Sequence, residues 1–495
     1  MKLNFVISII GLLLVGCTDK LELTPPSSAT ELVFYKTESD FLQATNAVYA
    51  DLKSYPTRVL DLSETRSDNI YGSSDDGKRY WDDINNFSSS LASNSKIQSA
   101  WTDAYSGVFK ANTLLAQLES VGESVLDKAL REQLEGEARF LRAFYYFDLL
   151  RTFGGVPIIS EVVTAVEAES ISRSPAADVY ELIIDDLKFA VDHLPNSYPA
   201  DEVGHATSYA AKGILALVYM TRSGKSYGID GPGMETNEWS TAATLLDDII
   251  QSEQFDLAPT YGAIFDYGNE NNEEVIFDVQ YIAGGLGLGG EYPSLFLPDA
   301  YVQQIAGFVG GVMVRPPSED LIASYSKEDK RLDQAVQFGY TASGRFDNRP
   351  MLVKFVDPSQ KGTRWTDWPL NFIVLRYTDV LLLRAECTLR GASGNMSDVV
   401  DVVNKVRERA GVNVVESVDL DFLMEERRRE FIGEGIRWHD LVRSGLVVST
   451  MNAWISTDDN KKVMSPMKEE FIIYPVPQAE LNVKPGLYEQ NKGYN

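Results

Sequence analysis

The chain has 495 residues, 44% hydrophobic, 24% charged and 11% aromatic, a globular composition with enough apolar material for a large core. Forty-five Lys and Arg against 72 Asp and Glu leave a net charge of -27, a mean field that repels nucleic acid and anionic lipid, and no local basic run offsets it. Two cysteines, one of them in an N-terminal processing signal, leave no disulfide framework.

That signal begins with Met1-Lys2-Leu3, continues as an apolar run from Phe5 to Val15 and closes on Leu14-Val15-Gly16-Cys17. Eleven helical residues rise only about 16 Å, whereas a bilayer core is about 30 Å thick, which argues against a transmembrane anchor. The pattern resembles a bacterial lipoprotein signal: residues 1–16 are expected to be removed, Cys17 acylated, and residues 17–36, with Pro25-Pro26-Ser27-Ser28, to act as a tether. Helical periodicity then dominates. Thr37 or Ser39 caps a helix expected to reach about Ser54; a second spans Lys96 to Glu119, with Trp101, Tyr105, Val108, Asn112 and Leu115 on one stripe. A third, over 125–152, carries apolar residues on so many faces that several neighbours must pack on it, and Gly154-Gly155-Val156-Pro157 stops it. Further helices are expected at 177–193, 205–222, 238–251, 376–390, 397–409, 419–432 and 437–443. Residues 55–95 and 225–370 are rich in Gly, Pro, Asn, Asp and aromatics and read as irregular insertions, with one strand candidate, Val275 to Tyr281.

The expected fold is therefore mainly α, a tetratricopeptide-like helical scaffold with loop-rich insertions and few short strands, because antiparallel helix pairs recur about every 35 to 45 residues. The expected divisions are 37–224, with the insertion 55–95; 225–375, which is loop-rich; and 376–495, which is helical again.

Several motifs mislead. Gly285-Leu286-Gly287-Leu288-Gly289-Gly290 fits the dinucleotide fingerprint, but Pro293 and Pro298 interrupt the helix that would hold a pyrophosphate. Gly224-Lys225-Ser226-Tyr227-Gly228 fits a nucleophile elbow, yet a helix, not a strand, precedes it. His193, His205 and His439 lack ligand spacing, so no catalytic metal is expected. The acidic clusters Asp75-Asp76, Glu270 to Glu274 and Asp458-Asp459-Asn460 depart from the EF-hand order; they offer at most weak calcium ligation and read as solvated loops, and no cofactor is expected. Asp379 and Glu386, the tidiest same-face carboxylates, stand roughly 10.5 Å apart along a helix, beyond the separation a glycosidase pair needs, with Arg376, Arg384 and Arg407 as structural partners. Cys387, among Leu381, Leu382, Leu383 and Ala385, reads as an inert core thiol.

One set of segments resembles the SusD/RagB family of outer-membrane nutrient-binding lipoproteins of Bacteroidetes over nearly the whole chain. It begins with Trp101-x-x-x-Tyr105 and Ala111-Asn112, then Glu137 to Phe147, Phe153-Gly154-Gly155-Val156-Pro157 and Tyr180 to Pro195. It continues with Leu375-Arg376-Tyr377-Thr378-Asp379, Asn404-x-x-Arg407-x-Arg409-Ala410-Gly411, Glu426 to Phe431 and Glu434-Gly435-x-Arg437-Trp438, and ends with Tyr474-Pro475-Val476-Pro477 and Gln490 to Tyr494. Thr378, Gly433 and Lys492 are small departures. In the Glu-Arg-rich segment, pairs such as Glu425 with Arg429 and Arg427 with Glu430 are expected across helical turns as architecture.

The resemblance implies a non-enzymatic lipoprotein on the cell surface, anchored in the outer membrane. Such a protein captures glycans, or in some members peptides, for a SusC-like TonB-dependent transporter. Sugar recognition needs aromatic faces for C–H surfaces and polar groups for hydroxyls. The insertion residues Asn69, Tyr71, Arg79, Tyr80 and Trp81 form one candidate cluster, and Arg364, Trp365 and Trp368 another. The rival readings are a secreted glycosidase or peptidase, which would turn over its ligand, and a structural partner of the transporter, which would bind no glycan.

Overall fold

The computed structural model describes residues 34–72, 77–200, 202–307 and 315–494. The signal, Cys17, most of the tether and Asp75-Asp76 lie outside the described residues.

The long helices expected from periodicity form, together with Asp299–Ala306, Glu319–Ser324, Lys330–Ala335 and Val447–Asp458, which were not expected, and polar side chains set the starts of the first three. α1 (Glu38–Tyr49) opens on a capping box: the Thr37 hydroxyl accepts from the Asp40 N–H, and the Asp40 carboxylate accepts from the Thr37 N–H at 2.8 Å. α2 (Ser95–Ser120) starts on Asn94, and α3 (Lys128–Phe153) on Asp127, whose carboxylate accepts from the Leu130 N–H at 2.9 Å. From Phe140 to Phe153 every residue of α3 is buried, as its all-round apolar pattern requires. α4 (Ala176–His193), α5 (Ser208–Ser223), α6 (Trp239–Gln251), α7 (Tyr377–Leu389) and α8 (Met396–Ala410) follow. From α2 to α8, each of these helices packs on the next, which is the nearest-neighbour order of a helical solenoid. α9 (Leu420–Glu430), α10 (Arg437–Ser444) and α11 (Val447–Asp458) close the C-terminal part. The fold is mainly α with few strands. No helix among the described residues is long and apolar enough to cross a membrane.

The strand expected at Val275 to Tyr281 is β1 (Val275–Val279), antiparallel to β4 (Phe372–Arg376). A hairpin of β2 (Val336–Ala342) and β3 (Arg345–Leu352) was not anticipated. Its signal was present: Ser343-Gly344 is a two-residue turn with φ of 50° and 76°, the left-handed pair that matches strand twist.

Residues 55–95 correct the sequence reading most. Instead of an irregular insertion, helical turns at Tyr55–Val59, Leu60–Glu64 and Tyr80–Asn85 form, and Tyr55 to Ile70 is buried without interruption. The helix expected to reach Ser54 gives way at Ala50 to a 3-10 turn, Ala50–Ser54, that leads into this stretch. Several of its polar residues meet partners near and far: Arg58 Nε meets Asp148 at 2.7 Å, and Glu64 accepts from Asn69 Nδ2 at 2.9 Å and from the Gly433 N–H at 2.9 Å. The Asp68 carboxylate meets Arg437 at 2.8 Å and Arg428 at 3.2 Å.

The Glu-Arg-rich segment is architecture, with a different pairing scheme from the one expected. Glu425 pairs with Arg437 and Arg428, and Arg429 with Glu426. Arg427 binds Asp379 and Asp440, each at 2.7 Å, and Glu430 binds Arg376 at 3.0 Å, Arg409 at 2.6 Å and Arg331 at 3.1 Å. α9 is enclosed, so its charges reach the helices and loops packed around it, where desolvation makes pairing obligatory.

Cys387 is buried, and burial pushes its thiol up to about 12. In a Cys17→Ser variant we expect no reaction with a water-soluble aromatic disulfide reagent at pH 8 until denaturant is added. Prompt labelling of the native chain would contradict a core role.

Candidate functional site

A cleft of about 640 Å³ opens between the segment Ala50 to Asp61, the first turns of α2 and two loops, and it is lined by Asp51, Lys53, Arg58, Asp61, Lys96, Asp103, Gly287, Gly289, Glu291 and Thr366 among others. The volume suits a small ligand or several sugar units. Asp61 has no exposed surface and is held from two sides, by Arg315 Nη1 at 2.7 Å and Lys96 Nζ at 3.2 Å. The Lys110 ammonium binds Asp51 at 2.6 Å, and the Ser106 hydroxyl donates to the other Asp51 oxygen at 3.0 Å. Arg58, also buried, keeps an Nη2 without a partner. Burial opposes the charge on Lys96, but the neighbouring Asp61 outweighs it and raises the ammonium above its ordinary range. The wall thus offers fixed carboxylate acceptors beside fixed ammonium donors, the combination that hydroxyl groups, which both donate and accept, can use.

None of the eight candidate residues is among those that line this cleft, although Tyr80 and Trp365 adjoin residues that do. The Tyr80 hydroxyl donates to Asp61 at 3.3 Å, and Lys96 Nζ sits 4.8 Å from the Tyr80 ring centre. From the other side Thr366 lines the cleft, and the neighbouring Trp365 is half-buried against the cluster of Leu297, Val302 and Met351. Ser294 Oγ and Trp368 Nε1 each donate to the Trp365 carbonyl, at 2.9 and 2.8 Å. Arg364 is exposed, and Arg79 is half-buried at the start of Tyr80–Asn85, its N–H donating to Asp82 at 2.5 Å.

Three candidates have structural occupations instead. Trp81, 2% exposed, lies under the Arg315 guanidinium at 4.9 Å and edge-on to Tyr80, so neither face is open to a sugar. Trp368 is fully buried, its indole N–H donating to Ser294 Oγ at 2.8 Å. Asn69 is equally buried between Glu64 and Arg428 Nε, the latter at 3.0 Å. Large rings and amides beside charged residues were more useful for closing the polar core than for facing solvent. Tyr71 lies elsewhere, its hydroxyl donating to Asp459 at 3.3 Å and accepting from the Lys461 N–H at 3.2 Å.

Sequence reasoning missed Asp51, Lys53, Asp61, Lys96, Asp103 and Glu291. Isolated charged residues carry no local signal; only the fold gathers them. Asp379 and Glu386 are each engaged by arginine, Arg427 at 2.7 Å and Arg443 at 2.7 Å, partners different from those expected but of the same structural kind. Gly285 to Gly290 forms a loop rather than a helix start. Among the described residues no group of three or more His, Cys, Asp or Glu is arranged to hold a metal ion.

Comparison with known proteins matches an N-terminal and a C-terminal region of the chain. A family model described as "SusD family" matches residues 337–494, and one described as "Starch-binding associating with outer membrane" matches residues 21–220. The chain belongs to the SusD family. A SusD-like protein of Bacteroides ovatus is 29% identical over 461 residues, 88% of this chain and 81% of the relative. Among solved SusD-family structures, a laminarin-binding SusD-like protein is 25% identical with a TM-score of 0.75, covering 93% of this chain and all of that one. Surface glycan-binding protein A of Bacteroides thetaiotaomicron, solved with laminarihexaose, shares the fold at 24% identity with a TM-score of 0.77, covering 92% of this chain and 100% of that one.

Proposed function

We propose that this SusD-family chain is a non-catalytic, lipid-anchored protein of the outer-membrane surface. In this reading it binds an oligo- or polysaccharide in the cleft beside Asp61 and delivers it to a SusC-like TonB-dependent transporter. The observation that carries the reading is the cleft itself, where fixed carboxylates and ammonium groups meet within one cavity whose far side is Thr366, the chain neighbour of Trp365. The laminarin- and laminarihexaose-binding names of two structural relatives support a glycan as the ligand, and the outer-membrane description of the matched N-terminal family supports the location. Arginine pairing gives Asp379 and Glu386 a structural occupation, which supports binding without hydrolysis by this pair. Arg79, Tyr80, Arg364 and Trp365 are the proposed contacts from the original candidates, joined by Asp51, Lys53, Lys96, Asp103 and Glu291.

Calorimetric titration of the full chain with laminarihexaose, maltohexaose and a mixed peptide library tests this. Binding of one glycan without release of shorter sugars is expected, and Trp365→Ala should weaken it roughly tenfold, about 1.4 kcal/mol, with the fold intact. Binding of peptides alone, or sugar release, would replace the reading.

A further inference from the structure

One cleft wall is a glycine-rich loop that hydrophobic burial does not hold in place: Ile282, Leu286 and Leu288 are 59%, 77% and 51% exposed. Polar contacts do the holding. Asp367, buried in the neighbouring loop, accepts on one oxygen, Oδ2, from the N–H groups of Gly284 at 3.3 Å, Gly285 at 2.9 Å and Thr363 at 2.8 Å, and from the Thr363 hydroxyl at 3.1 Å. Burial alone would raise this carboxyl, but the N–H groups outweigh it and hold it below its ordinary value. The backbone is shaped to receive it. Gly284 and Gly285 take φ of 135° and 77°, and a Cβ on Gly289 or Gly362 would fall 2.5 or 2.2 Å from an Asp367 carboxylate oxygen. Gly290 and Trp368 bridge the two loops through N–H···O bonds of 2.8 and 3.1 Å, and the tip is tied across the cleft by Lys53 Nζ donating to the Gly287 carbonyl.

We propose that Asp367 is a positioning residue of the binding cleft, stapling loop 284–290 to loop 361–366 so that Gly287, Gly289 and Thr366 form one continuous ligand-facing wall opposite Lys53. The assignment rests on the cleft being the glycan site, but the staple itself does not. Four donors converge on a single oxygen, so removing the carboxylate releases both loops together while leaving the helical frame, whose contacts lie elsewhere, untouched.

Hydrogen exchange and calorimetry on the full chain decide this. In Asp367→Ala, amide exchange within 282–290 and 361–366 should rise at least tenfold without a shift in the urea midpoint, and affinity for laminarihexaose should fall at least tenfold. Gly289→Ala, whose methyl would fall 2.5 Å from Oδ1 and 2.6 Å from the Asp367 Cα, should reproduce both effects. Wild-type exchange in the loops, unchanged affinity despite loosened loops, or exchange that rises across the whole chain with a lowered midpoint would each overturn the proposal. A wild-type chain that ignores both hexasaccharides counts against the glycan reading alone, because the exchange result reports on the staple without ligand.

Discussion

Replacing Glu430 with glutamine is expected to lower the stability of the chain by about 3–5 kcal/mol, read as a drop in the urea midpoint at pH 7. Glu430 is fully buried and is the shared counter-ion of Arg376, Arg409 and Arg331, which are 1%, 5% and 0% exposed at their side chains. An amide of the same shape keeps the packing and removes the charge, leaving guanidinium groups that cannot lose their protons in a low-dielectric interior. Burial works against ionisation of Glu430, yet Arg409, Arg376 and Arg331 prevail and bring it down from 4.5 to about 2. Asp68, held by Arg428 and Arg437, is likewise lowered from 3.8 to about 2 against burial. In both cases the folded value lies below the unfolded one. The stability they contribute is therefore fully present above about pH 5 and disappears as pH falls toward 2. The gap between wild type and Glu430→Gln should accordingly narrow between pH 5 and pH 2. A variant within about 1 kcal/mol of wild type at pH 7, or a gap that does not change with pH, would mean that water reaches this network.

Gly154→Ala should be comparably severe, roughly 2–6 kcal/mol, combining a backbone term and a packing term of about 1–3 kcal/mol each. Gly154 ends α3 at φ 75° and ψ −136°, a region that L-residues avoid, and a Cβ there would stand 1.9 Å from the Asp230 carbonyl oxygen. That carbonyl accepts from the Gly155 N–H at 3.3 Å, while the Asp230 side chain accepts from the Ala176 N–H at 3.0 Å, so the loop carrying Asp230 seats both the end of α3 and the start of α4. Gly228→Ala is the control. Gly228 has φ 65° but nothing within 4 Å of a Cβ, so only the backbone term, about 1 kcal/mol, should appear. Equal losses in the two variants would show that the close approach to Asp230 is relaxed in solution.

Much of the frame is local chemistry. Heptad-scale apolar spacing, the Thr37 capping box, Asn94 and Asp127 at helix starts and the Gly154-Gly155 stop each act over a few residues, so periodicity and capping rules read them directly. The Ser343-Gly344 turn is equally local, but Gly339 and Pro350 interrupt the alternation of its strands. The family resemblance, built from ordered segments spread along the chain, is also a property of the sequence alone.

What only tertiary structure decided is which polar residues go inside and whom they meet. Asp61 and Arg315 are 254 positions apart and Asp68 and Arg437 are 369, so no local rule announces their pairing. Once buried, each charge needs a partner, and that requirement drew Tyr55 to Ile70 into the core, re-paired the arginines of α9 across helices and took Trp81, Trp368 and Asn69 away from solvent. The same packing gathered Asp51, Lys53, Lys96 and Glu291 into one cleft beside Thr366. Sequence by itself determined most of the long helices and the family; the three-dimensional packing of distant charges decided which residues line the candidate cleft, because desolvation is settled by neighbours in space and not by neighbours in the chain.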